Sequence, residues 1–251
     1  MITEKKSYDS FVKIHPKIEK IVDIIVPYHG CYQSVSKLIT SIFSHANDFV
    51  NKLILVDNGS ENKEFGLIYS EHPKIKIVRS EQNLGFGGGI NLGIKNAERL
   101  IVIVMHSDAY VSDKKSLQNL YKDFLSLRNQ NVALMSAVSN NPQVNEKILS
   151  RKTSQDENPI ILNNDFVPMY GCILDVAAWH SCQGVPEFPL AWFEDEAFCH
   201  KLMNIKYKIG VSYRSFIGHQ GSLTVKNIVE KNKKNLEIMK SNIKLLNKIR
   251  Q

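Results

Sequence analysis

Five glycines fall within nine positions of the stretch Glu81–Gly93, at Gly85, Gly87, Gly88, Gly89 and Gly93. They lie between a strand-like run at Ile75–Arg79 and a helix-like run ending near Arg99. Glycine forfeits backbone entropy on ordering and brings no side chain, so this density marks a place where backbone must approach something closely. The something is either a neighbouring strand or a phosphorylated ligand lying on bare N–H groups at a helix start. Spacing excludes two familiar phosphate motifs. G-x-G-x-x-G does not occur, and in Gly88–Gly93 followed by Ile94 and Lys95 the lysine falls one position late for a P-loop, with no Ser or Thr after it.

Around this stretch, strand and helix patterns alternate. Ile21–Pro27, Lys52–Asp57, Ile75–Val78 and Leu100–Met105 are short, β-branched, nearly continuous apolar runs, as in strands covered on both faces. Gln33–Ala46 carries a helical stripe of Val35, Leu38, Ile39, Ile42 and Phe43. The alternation predicts an α/β fold with a Rossmann-like, mostly parallel central sheet flanked by helices. A helix over Ser116–Leu127 and a strand over Val132–Val138 follow, and then a polar segment, Ser139–Asn164, reads as a loop or lobe boundary. Beyond it the pattern predicts a strand over Phe166–Leu174, a helix over Glu194–Asn204 with Phe198, Leu202 and Ile205 inward, and a strand over Tyr207–Tyr213.

The 251 residues, 43% hydrophobic, suffice for one large globular unit. No apolar run approaches the roughly 18 residues of a membrane span and the N-terminus lacks an apolar leader, so a cytoplasmic protein is expected. Cys31, Cys172, Cys182 and Cys199 form no C-x-x-C or zinc spacing and are expected to be thiols. Six of the seven net positive charges fall in residues 225–251, which hold eight basic and two acidic residues. Within that tail Val229, Asn232, Leu236, Met239, Ile243 and Leu246 recur at three- and four-residue spacings, predicting a basic amphipathic helix. Such a helix packs on the body or on a second subunit, or holds an anionic surface.

In a parallel sheet, ligands bind beyond the carboxyl ends of the strands. Pro27-Tyr28-His29, Asp57-Asn58, the glycine stretch and His106-Ser107-Asp108 all fall there, so they should open onto one crevice. Asp108 is then a turn cap or a metal ligand facing phosphate, in even balance. Glu194-Asp195-Glu196 behind Trp192-Phe193 either complements a helix dipole or supplies a general base. Lone histidines such as His106 and His219 are more often structural than ligands.

The order of these features is more specific than any one of them. A strand ending in Pro, then V-D-N-G-S, N-L-G-F-G-G-G-I-N-L-G, a strand ending in S-D-A, W-F-E-D-E and H-x-G-S together resemble the family-2 glycosyltransferases of GT-A fold, notably their bacterial and phage rhamnosyltransferase-like branch, over residues 21–223. The resemblance implies a GT-A domain over 1–224, with a nucleotide-sugar half at about 21–138 and an acceptor half at about 165–224, followed by the helix 225–251. It implies that Asp57 contacts the nucleotide base beside Pro27 and Tyr28. Asn83, Gly85, Phe86 and Asn91 would form the loop that closes under nucleotide and sugar, with Ser107 and Asp108 on the donor.

By the same resemblance, Asp108 matches the last acid of the D-x-D motif, which binds Mn²⁺ or Mg²⁺, and His219 the distal histidine that completes the metal site. Asp195 matches the catalytic base, with Glu194 as its nearest substitute. Three positions depart from the pattern: His106 stands where the first D-x-D acid would be, Leu92 replaces an arginine, and Ala197 replaces a further acid.

The implied activity is metal-dependent, inverting transfer of a sugar from a UDP- or dTDP-sugar to an acceptor hydroxyl in surface glycan synthesis. Alternatives are the same chemistry on a hydroxylated base of phage DNA, a nucleotidyl-transfer protein, or a non-catalytic binding module. The acceptor is a glycan, a lipid-linked glycan or DNA, with peripheral contact at the inner face of the membrane or a homodimer through the C-terminal helix.

Overall fold

The computed structural model describes residues 21–141, 158–188, 193–221 and 233–250. Strands β1 (Val22–Tyr28), β2 (Val50–Asn58), β3 (Ile75–Ser80) and β4 (Ile101–Met105) lie parallel in the order β3-β2-β1-β4. Beyond β4 the sheet continues through β8 (Gly171–Asp175), β6 (Val132–Val138) and β9 (Lys208–His219). Only β8 runs against the rest of these, pairing antiparallel with both β4 and β6, while β6 and β9 are parallel. The sheet is therefore mostly parallel, as expected. Two short strands, β5 (Ala109–Val111) and β7 (Ile160–Leu162), pair antiparallel with β9.

Alternation along the strands divides the core. Ile24 and Val26 of β1 face a cluster with Leu38 and Ile42 of α1 (Tyr32–Ala46) and Phe124 of α4 (Ser116–Arg128). Ile25 points the other way, to Ile90 and Ile94 of α3 (Gly85–Ile94), Trp179 of α5 (Val176–Ser181), and Phe198 and Leu202 of α6 (Glu194–Asn204). A short helix, α2 (Glu64–Leu67), precedes β3. Both sheet faces are covered, which is why the strands read as unbroken apolar runs rather than alternating ones.

Several elements depart from expectation. The glycine stretch is not a loop before a helix: its glycines are the helix, and α3 stops at Ile94 rather than near Arg99. β8 starts at Gly171 instead of Phe166, because Pro168 cannot donate to a ladder and the Met169 N–H goes to Asp195 Oδ2 at 3.2 Å. β9 runs unbroken to His219, passing a register shift between the partners Ser212 and Phe216. Ile205 caps α6 and is 45% exposed rather than inward. Within the polar segment 139–164, β7 forms, and residues 142–157 lie outside the described residues. All four cysteines are thiols rather than half-cystines.

The C-terminal helix α7 (Lys233–Ile249) packs on α6 of its own chain. Leu246 is buried against Phe188 and Ala197, Asn204 Nδ2 donates to the Ile249 carbonyl at 3.0 Å, and Arg250 pairs with Glu196. Its inward face runs through Asn242 and Leu246, whereas Ile243 is 39% exposed. Of the predicted stripe, Leu246 is inward as expected, while Ile243 is displaced by Asn242. Val229 and Asn232, and the side chains of Leu236 and Met239, lie outside the described residues. Among the described residues no helix is long and apolar enough to cross a membrane.

Candidate active site

Register brings Tyr28 opposite Asp57, and Asp57 opposite Arg79, across the carboxyl ends of β1, β2 and β3. Asp57 is 2% exposed, and both its oxygens are engaged: Oδ1 accepts from the Ser60 N–H at 2.9 Å and Oδ2 pairs with Arg79. Tyr28 is buried edge-on to Phe65 (5.6 Å), and burial pushes its hydroxyl pKa well up. Asn58, which the sequence placed at the crevice without a role, holds the next segment. Its Oδ1 accepts from the Leu84 N–H (2.9 Å), and its Nδ2 donates to Asn83 Oδ1 (3.1 Å) and to the Gly85 carbonyl (2.8 Å). Asn83 Oδ1 in turn accepts from the Gly85 N–H at 2.9 Å.

The α3 glycines answer the question posed by the sequence in favour of protein contact. A Cβ on Gly89 would sit 2.8 Å from Pro27 Cβ, and one on Gly93 would sit 2.2 Å from Ile25 Cγ2. On the opposite side the segment 185–188 lies across the helix start, the Pro186 carbonyl oxygen 2.3 Å from a Cβ placed on Gly87. Gly85 itself has φ +74°, which a side chain would strain. Asn91 fastens the two pieces: its Oδ1 accepts from the Trp179 indole (2.9 Å) and the Val185 N–H (2.8 Å). Its Nδ2 donates to the Val185 carbonyl (2.9 Å) and to Glu187 Oε1 (3.0 Å). Asn91 therefore shapes the crevice wall with its hydrogen-bonding capacity already filled.

At the end of β4 the chain turns, with the Ala109 N–H bonded to the His106 carbonyl at 3.1 Å, Ser107 in the turn and Asp108 after it. Pairing of β5 with β9 sets Ala109 opposite His219. This brings three side chains together. His219 Nε2 lies 3.1 Å from Asp108 Oδ1 and 3.2 Å from His106 Nδ1, and His106 Nδ1 lies 4.0 Å from Asp108 Oδ1.

Each of the three offers one ligand atom, all within 4.8 Å of one another, so the group can hold a metal ion. His219 is 1% exposed, stacked on Tyr170 (5.3 Å), and its Nδ1 donates to the Asn141 carbonyl at 3.0 Å. Phe86 of α3 meets the His106 ring edge-on at 4.6 Å. Burial, and then the neighbouring His219, lower His106 to about 4. Burial alone would raise Asp108, but the hydrogen bond from His219 and the charge of both imidazoles outweigh it and hold the carboxyl below its usual range.

Asp195, in the first turn of α6, bonds the Met169 N–H and is partly buried. Burial of its carboxyl raises the pKa to about 6, against the opposing pull of Met169 and of His219. Glu194 is 3% exposed, Glu196 is turned to Arg250 and His200, and Asp195 is in electrostatic contact with His219. Trp192 lies outside the described residues.

In a mostly parallel sheet, acidic and imidazole groups gathered beyond the carboxyl ends of the strands line the crevice where α/β folds bind their ligands. The sequence pattern of Glycosyl transferase family 2 matches residues 23–177, and the chain belongs to that family. Among solved structures it is similar to TarS 1-349 of S. aureus (20% identity, TM-score 0.60, 79% of this chain and 60% of that one). It is also similar to the mannosyltransferase PcManGT from Pyrobaculum calidifontis in complex with GDP-Man and Mn²⁺ (16%, 0.62, 81% and 58%). A third is GalNAc-T7 with UDP, GalNAc and Mn²⁺ (11%, 0.58, 81% and 44%). At these identities the likeness establishes the GT-A fold. The chain spans about three-fifths of the first two solved chains or less. No curated protein matches it.

Proposed function

We propose that this chain transfers a sugar, with inversion, from a nucleoside-diphosphate sugar to an acceptor hydroxyl. One observation carries the proposal: Asp108 and His219 converge at the end of β4, and Asp195, its carboxyl raised to about 6, shares their electrostatic environment. A base with that pKa is ionised at neutral pH yet still basic enough to accept a hydroxyl proton. Family membership and the Mn²⁺ held by two structural neighbours support the same reading.

In this mechanism the diphosphate lies at Asp108 and His219, which would hold Mn²⁺ or Mg²⁺; the ion, when bound, supplies Lewis-acid stabilisation of the leaving group's charge. The base and ribose lie along Pro27, Tyr28, Asp57 and the Asn83–Phe86 segment, with Ser107 beside the diphosphate. Asp195 takes the proton from the acceptor oxygen as that oxygen attacks the anomeric carbon opposite the phosphate. Glu194, buried beside it, keeps Asp195 at the helix start and is its nearest substitute. Residues 1–224 form the transferase unit, and the helix Lys233–Ile249 of the tail packs on it.

The donor is a UDP- or dTDP-sugar, in keeping with the rhamnosyltransferase-like motifs and with the UDP-GlcNAc complex of TarS. The acceptor is a surface or lipid-linked glycan at the inner face of the membrane, the DNA alternative being served by the same chemistry. The test is incubation with a panel of nucleotide sugars and Mn²⁺. Nucleoside diphosphate release that depends on the metal, is lost in Asp195→Asn and yields product of inverted anomeric configuration by NMR supports the proposal. Release of nucleoside monophosphate and pyrophosphate would make the chain a nucleotidyl-transfer protein instead.

A further inference from the structure

His106 occupies the position where a first acid was expected, and its surroundings give it a purpose. The Asn141 carbonyl can only accept, so the 3.0 Å contact fixes a proton on His219 Nδ1 and leaves Nε2 to face its neighbours, as an N–H bonded to Asp108 in the charged ring or as a lone pair in the neutral one. In the neutral ring that lone pair faces His106 Nδ1 at 3.2 Å and Asp108 Oδ1 at 3.1 Å. A proton on His106 Nδ1 satisfies the lone pair but not the carboxylate oxygen aimed at the same nitrogen. A cation among the three satisfies all of them. Separations of 3.1 and 3.2 Å are those two ligands adopt when each sits about 2.1 Å from one ion at right angles. The 4.0 Å edge between His106 and Asp108 also lies within the roughly 4.2 Å that two ligands about 2.1 Å from one ion can span.

The ring is also held ready. Phe86 packs edge-on against the His106 imidazole, and the backbone His106 N–H, bonded to the Tyr170 carbonyl at 3.1 Å, fixes the main chain that carries it. Tyr170 stacks on the His219 ring, whose Nδ1–H is held by the Asn141 carbonyl. Such outer contacts are what orient imidazole ligands.

We infer that His106 is a third metal ligand and that the resulting two-nitrogen, one-oxygen set selects a transition-metal ion over Mg²⁺ at this site. Mg²⁺ demands oxygen ligands and surrenders its waters reluctantly, whereas imidazole suits the later first-row ions, whose affinities rise from Mn²⁺ to Co²⁺. A single carboxylate also leaves the site with less negative charge than two acids would, which favours an anionic diphosphate beside the ion. This inference rests on the proposed metal site at Asp108 and His219 and adds to it the third ligand and the identity of the ion.

The test uses the chelator-stripped chain and the metals alone. Calorimetry should give binding in the order Co²⁺ above Mn²⁺, with Mg²⁺ undetected at the same concentrations, and pulsed electron paramagnetic resonance of bound Mn²⁺ should show two imidazole nitrogens. His106→Gln should remove one of those nitrogens and weaken Co²⁺ by more than about tenfold, since even outer-layer partners are worth 10- to 100-fold. His106→Asp should regain Mg²⁺ binding at the expense of Co²⁺. Unchanged melting of the metal-free variants controls for folding. Two nitrogens or undiminished affinity in His106→Gln, with Asp108→Ala still abolishing binding, would overturn the third ligand while leaving the site intact. Binding of no metal by the wild type, or binding indifferent to Asp108→Ala, would overturn the site itself.

Discussion

Asn91 on α3 and Trp179 on α5 are 88 positions apart in sequence and joined by a 2.9 Å hydrogen bond from the indole N–H to the amide oxygen. The same side chain satisfies both backbone groups of Val185, so it carries the contact between the glycine-rich helix and the segment lying over it. Asn91→Ala strands the Trp179 N–H and the Val185 N–H and carbonyl in a buried setting. We expect a loss of roughly 3 kcal/mol, read as a shifted urea midpoint at constant slope. A shift below about 1 kcal/mol would mean that water replaces these bonds.

Gly93→Ala sets two effects against each other. Alanine gains about 1 kcal/mol of helix propensity, but its Cβ would lie 2.2 Å from Ile25 Cγ2 in the sheet core. Overpacking of a filled core costs about 1–3 kcal/mol and a contact this close falls in the upper half of that range, so we expect net destabilisation of roughly 1–2 kcal/mol. A melting temperature equal to or above the wild type's would show that α3 shifts outward freely.

The raised carboxyl of Asp195 links function to stability. Its folded pKa of about 6 exceeds the ordinary 3.8, so the folded chain holds this proton more tightly than the unfolded one. The stability it contributes is complete below pH 3.8 and is lost as pH rises through about 6, by up to roughly 3 kcal/mol. Asp195→Asn should remove this slope and leave the chain more stable than wild type at pH 7.5. It should also lower turnover by roughly 10²–10⁴ and abolish the limb of the rate profile that rises through pH 6. Chemical denaturation across pH 4–8, run beside the rate profile, measures both.

Leu246→Ala separates a packing role for the C-terminal helix from an acceptor-holding one. Leu246 is 3% exposed against Phe188 and Ala197, so its truncation should cost about 2–3 kcal/mol while lysine-to-serine changes on the outer face cost little. If stability stays unchanged and acceptor transfer falls, the helix serves the acceptor and not the body.

The buried strands were legible in the sequence because both faces of the sheet are covered, which leaves long apolar runs at β1, β2 and β4. Helix α6 was legible from its acidic first turn. The glycine stretch was misread as a loop because helix propensity argues against glycine. The deciding contacts, with Pro27, Ile25 and Pro186, lie in other elements and leave no local signal. His106 was discounted for a similar reason. Its pairing with His219 spans 113 positions and depends on β5, whose three residues are too few for any periodicity to reveal. Asn58 and Trp179 act through hydrogen bonds between distant segments and could have been found only from a sheet register.

The most direct test of the account is thermal unfolding of the chain with UDP, dTDP or GDP, each with and without Mn²⁺. The account predicts that one nucleoside diphosphate stabilises the protein only when Mn²⁺ is present, by about 2.7 kcal/mol at 100 times its dissociation constant, and that Asp108→Ala removes the effect. Stabilisation of equal size without the metal, or in Asp108→Ala, would contradict it.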